Sequence, residues 1–232
     1  MKNTGIIIQA RTGSKRFPNK VLSKIGERNL IEHVIFQIKK TKFKKKIIIS
    51  TSNKIADKSI SKIAKSNNCL VFRGSEKNVL KRFFFTAKKF KLDNIIRISA
   101  DSPFIDPKII EKAHEIFKFK NFDYISNVIN PSYPKGMSVE IFNYDCLRKT
   151  FKHASSASHK EHVTKYMYKK NSFFKIKNFR LKKSLRMFKF SVDTKKELNF
   201  LKSIYDNLKK KKIEKSFTLK DLISSAVEFK KN

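Results

Sequence analysis

Short apolar runs alternate with amphipathic stretches along the first half of the chain. The runs at residues 5–9, 46–50, 69–72 and 94–99 are brief and rich in isoleucine and valine, which is typical of buried strands. Between and after them, apolar residues recur at helical spacing, with the core faces Ile31/Val34/Ile35/Ile38, Ile60/Ile63, Leu80/Phe83/Phe84/Ala87 and Ile110/Ala113/Phe117. This alternation predicts an α/β fold with a mostly parallel sheet covered on both faces.

The second half of the chain is less regular. Its patterns predict strands at residues 124–127, 137–143, 173–179 and 188–192, a turn-rich loop at 131–136, and helices at 160–169, after Thr194 and at 218–229. Residues 128–187 resemble an insertion that forms a small lobe or a dimer contact. We therefore expect one domain over residues 1–232 with this insertion inside it.

Three helix starts are marked by local sequence. Ser75 is placed to cap the helix after the third strand, and Pro107 directly after Asp106 is typical of a first helical turn. Thr194 followed three residues later by Glu197 has the form of a capping box.

Composition argues against a disordered chain, and it gives only weak evidence for a nucleic-acid-binding protein. Hydrophobic residues make up 40% of the 232 residues and include 22 Phe, so the chain can bury a core. Its 55 basic and 19 acidic residues give a net charge of +36, which suggests nucleic acid. Lysine is spread over every helix and loop, however, so we expect no specific nucleic-acid partner.

Cysteine usage and apolar run lengths indicate the compartment. Cys69 and Cys146 are not spaced as metal ligands or as a disulfide pair, so we expect a reducing compartment. The apolar run at residues 6–8 is too short for a signal sequence, and no window reaches the length needed to span a bilayer. We expect a cytoplasmic protein without a membrane partner.

The loop after the first strand, residues 10–20, contains the groups that bind phosphate. Gly13 lets backbone amides face an anion, Ser14 adds a hydroxyl, and Arg11, Arg16 and Lys20 add positive charge. Because a second glycine is missing, the loop is neither a Walker loop nor a dinucleotide fingerprint. The alternative is an ordinary basic loop on a basic protein.

Other loops leave the same edge of the predicted sheet. Those that begin at Ala10, Ser52, Arg73 and Asp101 all follow predicted strands, whose carboxyl ends are where ligands bind in parallel sheets. We expect these loops to converge on one site.

Two aspartates, Asp101 and Asp193, directly follow predicted buried strands. Mg²⁺ is usually held by one or two carboxylates together with substrate phosphates and water. With a phosphate loop, these aspartates predict a magnesium nucleotide and attack at phosphorus. The alternative is that each aspartate only caps a helix, although Asp106 already begins the helix after Asp101.

Five motifs together resemble a known family. They are Ile-Gln-Ala-Arg-Thr-Gly-Ser-Lys-Arg-Phe-Pro-Asn-Lys at 8–20, Phe-Arg-Gly-Ser-Glu at 72–76, Ala-Asp-Ser-Pro-Phe-Ile-Asp-Pro at 100–107, Glu-His-Val-Thr at 161–164 and Ser-Val-Asp-Thr at 191–194. In this order they resemble the cytidylyltransferases of the spore-coat polysaccharide biosynthesis type, which are relatives of the enzymes that activate Kdo and acylneuraminic acids.

The resemblance implies a three-layer α/β/α fold of the nucleotide-diphospho-sugar transferase type, CTP and Mg²⁺ as ligands, transfer of CMP to a sugar acid with release of pyrophosphate, and a homodimer. It also implies roles for individual residues. Arg11 and Lys20 would hold the triphosphate, with Gly13, Ser14 and Arg16 shaping the loop, and Asp101 and Asp193 would hold the metal. The expected nucleotide-binding set is Ala10, Arg11, Gly13, Ser14, Arg16, Lys20, Ser52, Arg73, Gly74 and Ser75. The residues expected to face the sugar are Asn127, Lys135, Glu140, Glu161 and His162.

The chain departs from the family pattern at two positions. Asn19 and Ala100 stand where the family more often has glycine, and asparagine tolerates left-handed backbone. Three alternatives remain open: a sugar 1-phosphate as acceptor, a basic nucleic-acid-binding protein, and an inactive member of the family. Arg11, Lys20, Asp101 and Asp193 argue against the last.

Overall fold

The computed structural model describes residues 2–119, 121–168 and 173–231, which form nine strands and eight α-helices. The strands are β1 (Thr4–Gln9), β2 (Lys24–Ile25), β3 (Arg28–Asn29), β4 (Lys46–Ser52), β5 (Leu70–Gly74), β6 (Asn94–Ser99), β7 (Tyr124–Ser126), β8 (Glu140–Asn143) and β9 (Ile176–Asn178). Seven of them form the main sheet in the order β5-β4-β1-β6-β8-β7-β9, and β2 and β3 form a separate hairpin. Within the main sheet, β8 is antiparallel to both its neighbours and the other pairs are parallel. The predicted mostly parallel sheet is confirmed.

Helices cover both faces of this sheet. They are α1 (Leu30–Lys39), α2 (Lys58–Ser66), α3 (Val79–Lys89), α4 (Pro107–Phe119), α5 (Tyr144–His153), α6 (Ala157–Glu161), α7 (Lys195–Lys210) and α8 (Leu219–Lys231). Successive strand residues point to opposite faces, so Ile6 and Ile8 pack with α1, α2, α4, α7 and α8, whereas Ile7 packs with α3 and α5. The three-layer α/β/α architecture is confirmed.

Two predictions for the second half are wrong, and one helix was missed. The predicted helix at 160–169 ends at Glu161, and turns follow as far as Tyr168; Lys169 lies outside the described residues. Tertiary contacts override the helical pattern there, because buried Val163 has a φ of 38° and the Thr164 hydroxyl bonds to Glu140. The segment 188–192 lies outside the named strands and pairs through a bridge between Lys135 and Lys189. Helix α5 was not predicted.

Helix starts follow the local signals in two of three cases. Thr194 and Glu197 form the expected capping box, and α4 begins at Pro107. Ser75, however, does not cap α3. Asn78 does, since its side chain accepts the amide of Lys81 at 2.8 Å, while the Ser75 hydroxyl accepts the amide of Asn78 one turn earlier.

The segment 128–187 contributes to the main sheet through β8 and β9. The idea that part of it contacts a second copy of the chain stays a prediction. Among the described helices, none has both the length and the apolar character that a membrane span requires.

Asp57 ties the loop after β1 to the end of β4. Its carboxylate is 1% exposed and accepts the Thr12 amide at 2.8 Å, the Thr12 hydroxyl at 2.6 Å and the Ser52 amide at 3.2 Å, as well as the Ser52 hydroxyl. Burial alone would raise the Asp57 pKa, but the hydrogen bonds from Ser52 and Thr12 outweigh it and lower that pKa below its usual value. One buried carboxylate therefore joins two adjacent strand ends.

We expect Asp57→Asn to lower the free energy of unfolding by about 1–3 kcal/mol, because an amide cannot accept all four donors. A group whose folded pKa is depressed stabilises the fold above its unfolded pKa, and this contribution is lost as the pH falls through the folded pKa. The difference between wild type and variant should thus be full at neutral pH and shrink below about pH 4. Urea unfolding at neutral pH and below about pH 4 measures this difference in the free energy of unfolding. Asp206→Asn, at an exposed position, is the control. Equal stability of the Asp57 variant and wild type would contradict the role of Asp57 in joining the two strand ends.

Candidate active site

The ammonium of Lys20 lies between two aspartates that are remote from it in sequence. Lys20 Nζ donates to Asp101 Oδ2 at 2.8 Å, to Asp193 Oδ1 at 3.1 Å and to the carbonyl of Val192 at 2.8 Å. The lysine side chain is only 12% exposed. The structure thus brings together three of the four residues predicted to be catalytic, and Lys20, Asp101 and Asp193 are called the Lys20 cluster below.

Asn19 sets the direction in which Lys20 leaves the loop. Its φ of 59° lies in the left-handed region, which asparagine adopts more readily than other side chains except glycine. The Asn19 amide donates to the Thr12 carbonyl at 2.8 Å, and a short 3-10 turn, Lys20–Leu22, follows. The asparagine therefore fits the backbone that the loop needs.

Asp193 is surrounded by positive charge. Lys189 Nζ donates to Asp193 Oδ2 at 2.8 Å and the Arg16 guanidinium lies 3.4 Å from Oδ1. Partial burial works to raise the pKa of Asp193, but hydrogen bonds from Lys189 and Lys20 prevail and lower it to about 2. With this pKa, Asp193 is ionised throughout the neutral range.

A backbone contact connects the two aspartates as well. The Val192 amide donates to the Asp101 carbonyl at 2.9 Å, which fixes Asp101 and Asp193 relative to each other.

The oxygen atoms around Lys20 Nζ form a position that suits a cation. Two carboxylates and one carbonyl converge there. In the described part of the chain no group of three or more His, Cys, Asp or Glu side chains could hold a metal alone. Two carboxylates with substrate phosphates and water are nevertheless a usual Mg²⁺ environment, so the donor set fits that ion if Lys20 moves aside.

A cavity of about 360 Å³ opens beside Asp101. Four serine side chains, Ser99, Ser102, Ser138 and Ser191, line it, so we call it the serine-lined cavity. Arg97, Lys135 and His162 add positive or titratable groups to its wall. Such a lining can bind a ligand that has several hydroxyl groups and a negative charge.

Of the five residues predicted to face the sugar, three line the serine-lined cavity and two do not. Lys135, Glu140 and His162 line the serine-lined cavity. Asn127 is 2% exposed, and its amide group bonds to the backbone of Met137 at 2.7 Å and of Val139 at 2.9 Å. Glu161 lies instead by Arg11, at 3.8 Å. Asn127 thus supports the cavity wall from behind.

The loop after β1 is partly occupied by the protein's own groups. A Cβ at Gly13 would come within 2.9 Å of Glu76 Oε1, so this carboxylate lies against the glycine, and Lys54 pairs with it at 2.8 Å. The Ser14 amide donates to the Thr12 carbonyl at 2.8 Å. A phosphate at Gly13 therefore requires Glu76 to move. Ala10 and Ser52 are buried at the adjoining strand ends.

Arg73 and Gly74 are the last residues of β5, and Ser75 follows them. Arg73 donates to the carbonyls of Ser52 at 3.1 Å and Lys54 at 2.7 Å, and the carbonyl of Ser75 accepts from buried Arg82 at 2.6 Å. These contacts hold the loop that follows β5. Contact of these three residues with a nucleoside stays a prediction.

Some residues at the site were missed from the sequence. Lys189 and Glu197 bracket Asp193, and nothing in the amphipathic pattern separates that lysine from its many neighbours. Arg97 had a signal, because it is a charge between two isoleucines in a buried strand. A charge in that position generally needs a buried partner or a ligand.

Comparisons with known proteins find a family and relatives that cover most of the chain. The profile of the cytidylyltransferase family matches residues 5–230. Uncharacterized protein MJ1063 of Methanocaldococcus jannaschii is 43% identical over 178 residues, which are 76% of this chain and 71% of that protein. The spore coat polysaccharide biosynthesis protein SpsF of Bacillus subtilis is 29% identical over 212 residues, 88% of this chain and 87% of its own length.

Solved structures agree as well. A cytidylyltransferase from Leptospira borgpetersenii has a TM-score of 0.94 at 27% identity, covering 100% of this chain and 96% of that one. CMP:2-keto-3-deoxy-manno-octonic acid synthetase complexed with CTP has a TM-score of 0.69 at 15% identity, covering 89% of this chain and 99% of that one, and so shows the shared fold. The family profile extends over nearly the whole chain, and the chain therefore belongs to the cytidylyltransferase family and is a nucleotidyltransferase.

Proposed function

We propose that this protein transfers CMP from CTP to a sugar acid and releases pyrophosphate, with Mg²⁺ as its cofactor. The observation that carries the proposal is the Lys20 cluster at the edge of the serine-lined cavity. It supplies charge for a triphosphate and a metal, while the cavity offers a place for a polyhydroxylated acceptor. A cytoplasmic homodimer is part of the same proposal.

In the reaction, a hydroxyl oxygen of the acceptor attacks the α-phosphorus of CTP. The new oxygen–phosphorus bond forms as the bond from that phosphorus to the bridging oxygen breaks, and pyrophosphate leaves with the electron pair. The hydroxyl proton passes to solvent. Lys20 and Arg11 stabilise the negative charge that develops on the phosphate oxygens, which is the main need of such a transfer.

Asp101 and Asp193 are the residues that would hold the metal. When bound, Mg²⁺ neutralises phosphate charge and lowers the pKa of a coordinated hydroxyl. With both aspartates engaged in this way, the Lys20 ammonium would be available to pair with a phosphate. His162 lies on the cavity wall, and its proposed role is a contact with the sugar.

The lining of the serine-lined cavity supports a sugar acid as the acceptor. The four serines can exchange hydrogen bonds with sugar hydroxyls, and Lys135 offers an exposed ammonium in the same cavity. SpsF is described as a polysaccharide biosynthesis protein, and other relatives are described as 3-deoxy-manno-octulosonate cytidylyltransferases. Both descriptions favour a sugar acceptor.

We expect Asp101→Asn and Asp193→Asn each to lower Mg²⁺-dependent release of pyrophosphate by about 100-fold or more, because each removes a carboxylate from the metal position. Asp145→Asn, at an exposed position of α5, is the matched control and should keep the wild-type rate. Urea unfolding of each variant separates loss of activity from loss of fold. Wild-type rates in both folded site variants would show that the aspartates serve only the fold.

An acceptor panel with CTP and Mg²⁺ tests the substrate class. We expect pyrophosphate release with 3-deoxy-manno-octulosonate or N-acetylneuraminate and none with sugar 1-phosphates, because the proposed nucleophile is a hydroxyl of a sugar acid. Product formation with sugar 1-phosphates alone would replace the sugar-acid proposal by a nucleotidylyltransferase that acts on sugar 1-phosphates.

Lys20→Ala should raise the KM for CTP, because the variant lacks the ammonium that we propose to pair with a phosphate.

A further inference from the structure

Arg97 extends from the middle of β6 into the serine-lined cavity. It lies between the buried residues Ile96 and Ile98 and precedes Ser99 and Asp101 on the same stretch of chain. Its side chain is 22% exposed, and the exposed part faces the cavity. A guanidinium is thus built into the floor of the proposed acceptor site.

The guanidinium is fixed on two sides. Its Nε and Nη2 atoms donate to Gln9 Oε1 at 3.3 Å and 3.1 Å, and Nη1 donates to the carboxylate of Glu140. Arginine has five N–H groups. The contacts made within the described residues take three of them, which leaves one N–H on each terminal nitrogen.

The buried carboxylate of Glu140 fixes the Arg97 guanidinium. It is 4% exposed, and its Oε1 accepts the hydroxyls of Tyr124 and Thr164, both at 2.6 Å, while Oε2 accepts from Arg97. Tyr124 is fully buried, and burial together with the nearby Glu140 charge raises its pKa well above the usual value, so it remains a donor. Three donors thus engage the carboxylate, which was predicted to face the sugar.

We propose that Arg97 determines the specificity for an acidic acceptor by binding the acceptor carboxylate, and that Glu140 is a positioning residue for Arg97. The inference rests on the proposed function, since it concerns the acceptor of that transfer. Two N–H groups on adjacent nitrogens match the two oxygens of a carboxylate, which is the geometry that arginine recognises best. Because Gln9 and Glu140 already fix the fork, little conformational entropy is lost on binding.

The surrounding charges favour an anion at this position. Lys20 compensates the charge of Asp101 in this structure, and the metal would do so in the proposed complex, while Arg97 compensates the charge of Glu140. Lys135 in the same cavity is exposed and adds positive charge. An acceptor carboxylate therefore meets the Arg97 fork without an uncompensated acid beside it.

The test compares Arg97→Lys with wild type on N-acetylneuraminate, 3-deoxy-manno-octulosonate and the methyl ester of each. Lysine keeps a cation for Glu140, which protects the fold, but it has no fork. We expect kcat/KM for the acid to fall about 10- to 100-fold, as for the loss of a hydrogen bond between charged groups, with little change for the ester or in the KM for CTP. Lys149→Met, at an exposed position of α5, is the control for a general loss of positive charge.

The positioning role of Glu140 has its own readout. Glu140→Gln keeps the shape of the side chain but weakens its hold on Arg97, so the KM for the acid should rise several-fold while kcat and the KM for CTP change little. An equal fall in kcat for acid and ester would contradict this role. Equal losses for acid and ester in Arg97→Lys would show that Arg97 contacts a hydroxyl, and would overturn the inference.

Calorimetric binding of the same acids and esters, and of a sugar 1-phosphate, separates the two proposals. Arg97-dependent binding of an acid without pyrophosphate release would overturn the proposed function and leave the inference standing. Turnover of an acid whose preference over its ester survives Arg97→Lys would overturn the inference alone. A sugar 1-phosphate that binds more tightly than either acid, or a wild-type protein that binds neither acid, would also overturn it.

Discussion

The shared ammonium of Lys20 is the interaction on which the rest of the site depends. It joins a loop near the start of the chain to a strand end in the middle and to a segment close to the last helices. Without a cation between them, Asp101 and Asp193 would repel each other at a partly buried position. The pairing of β1 with β6 brings the first two segments together, and the Lys20 ammonium connects both to the third.

Under the proposed function, a lysine and a metal would serve the same centre. The oxygens that accept from Lys20 are oxygens that suit Mg²⁺, so the two cations would compete for one position. A bound triphosphate would resolve the competition, because it would bring new negative charge for the lysine. The net charge of +36 cannot do this work, since its lysines are spread over the surface, whereas Lys20 is almost covered. Local geometry, and not total charge, makes the site.

Much of the fold was predictable because its first half follows simple periodicities. The strands at 5–9 and 94–99 and the capping box at Thr194 match the structure closely. Prediction failed where tertiary contacts decide the backbone. The chain after Glu161 has helical spacing but is held in turns by buried Val163 and by Thr164 on Glu140. Asp57 and Glu140 were likewise beyond periodicity, because a buried carboxylate is defined by donors from distant segments. At the site, Asp101 could be read from the sequence as a carboxylate that follows a strand, whereas Asp193 follows a segment that is not one of the named strands. The partners that hold the two carboxylates could not be predicted, because they come from distant segments.

The most direct test of the account is a crystal structure with CTP and Mn²⁺, a metal that can be located by its anomalous scattering. The account predicts a metal peak at coordination distance, roughly 2.1 Å, from carboxylate oxygens of both Asp101 and Asp193. Lys20 Nζ should then have left the aspartates for a phosphate oxygen. A metal bound elsewhere, with the ammonium of Lys20 still between the two aspartates, would contradict the account.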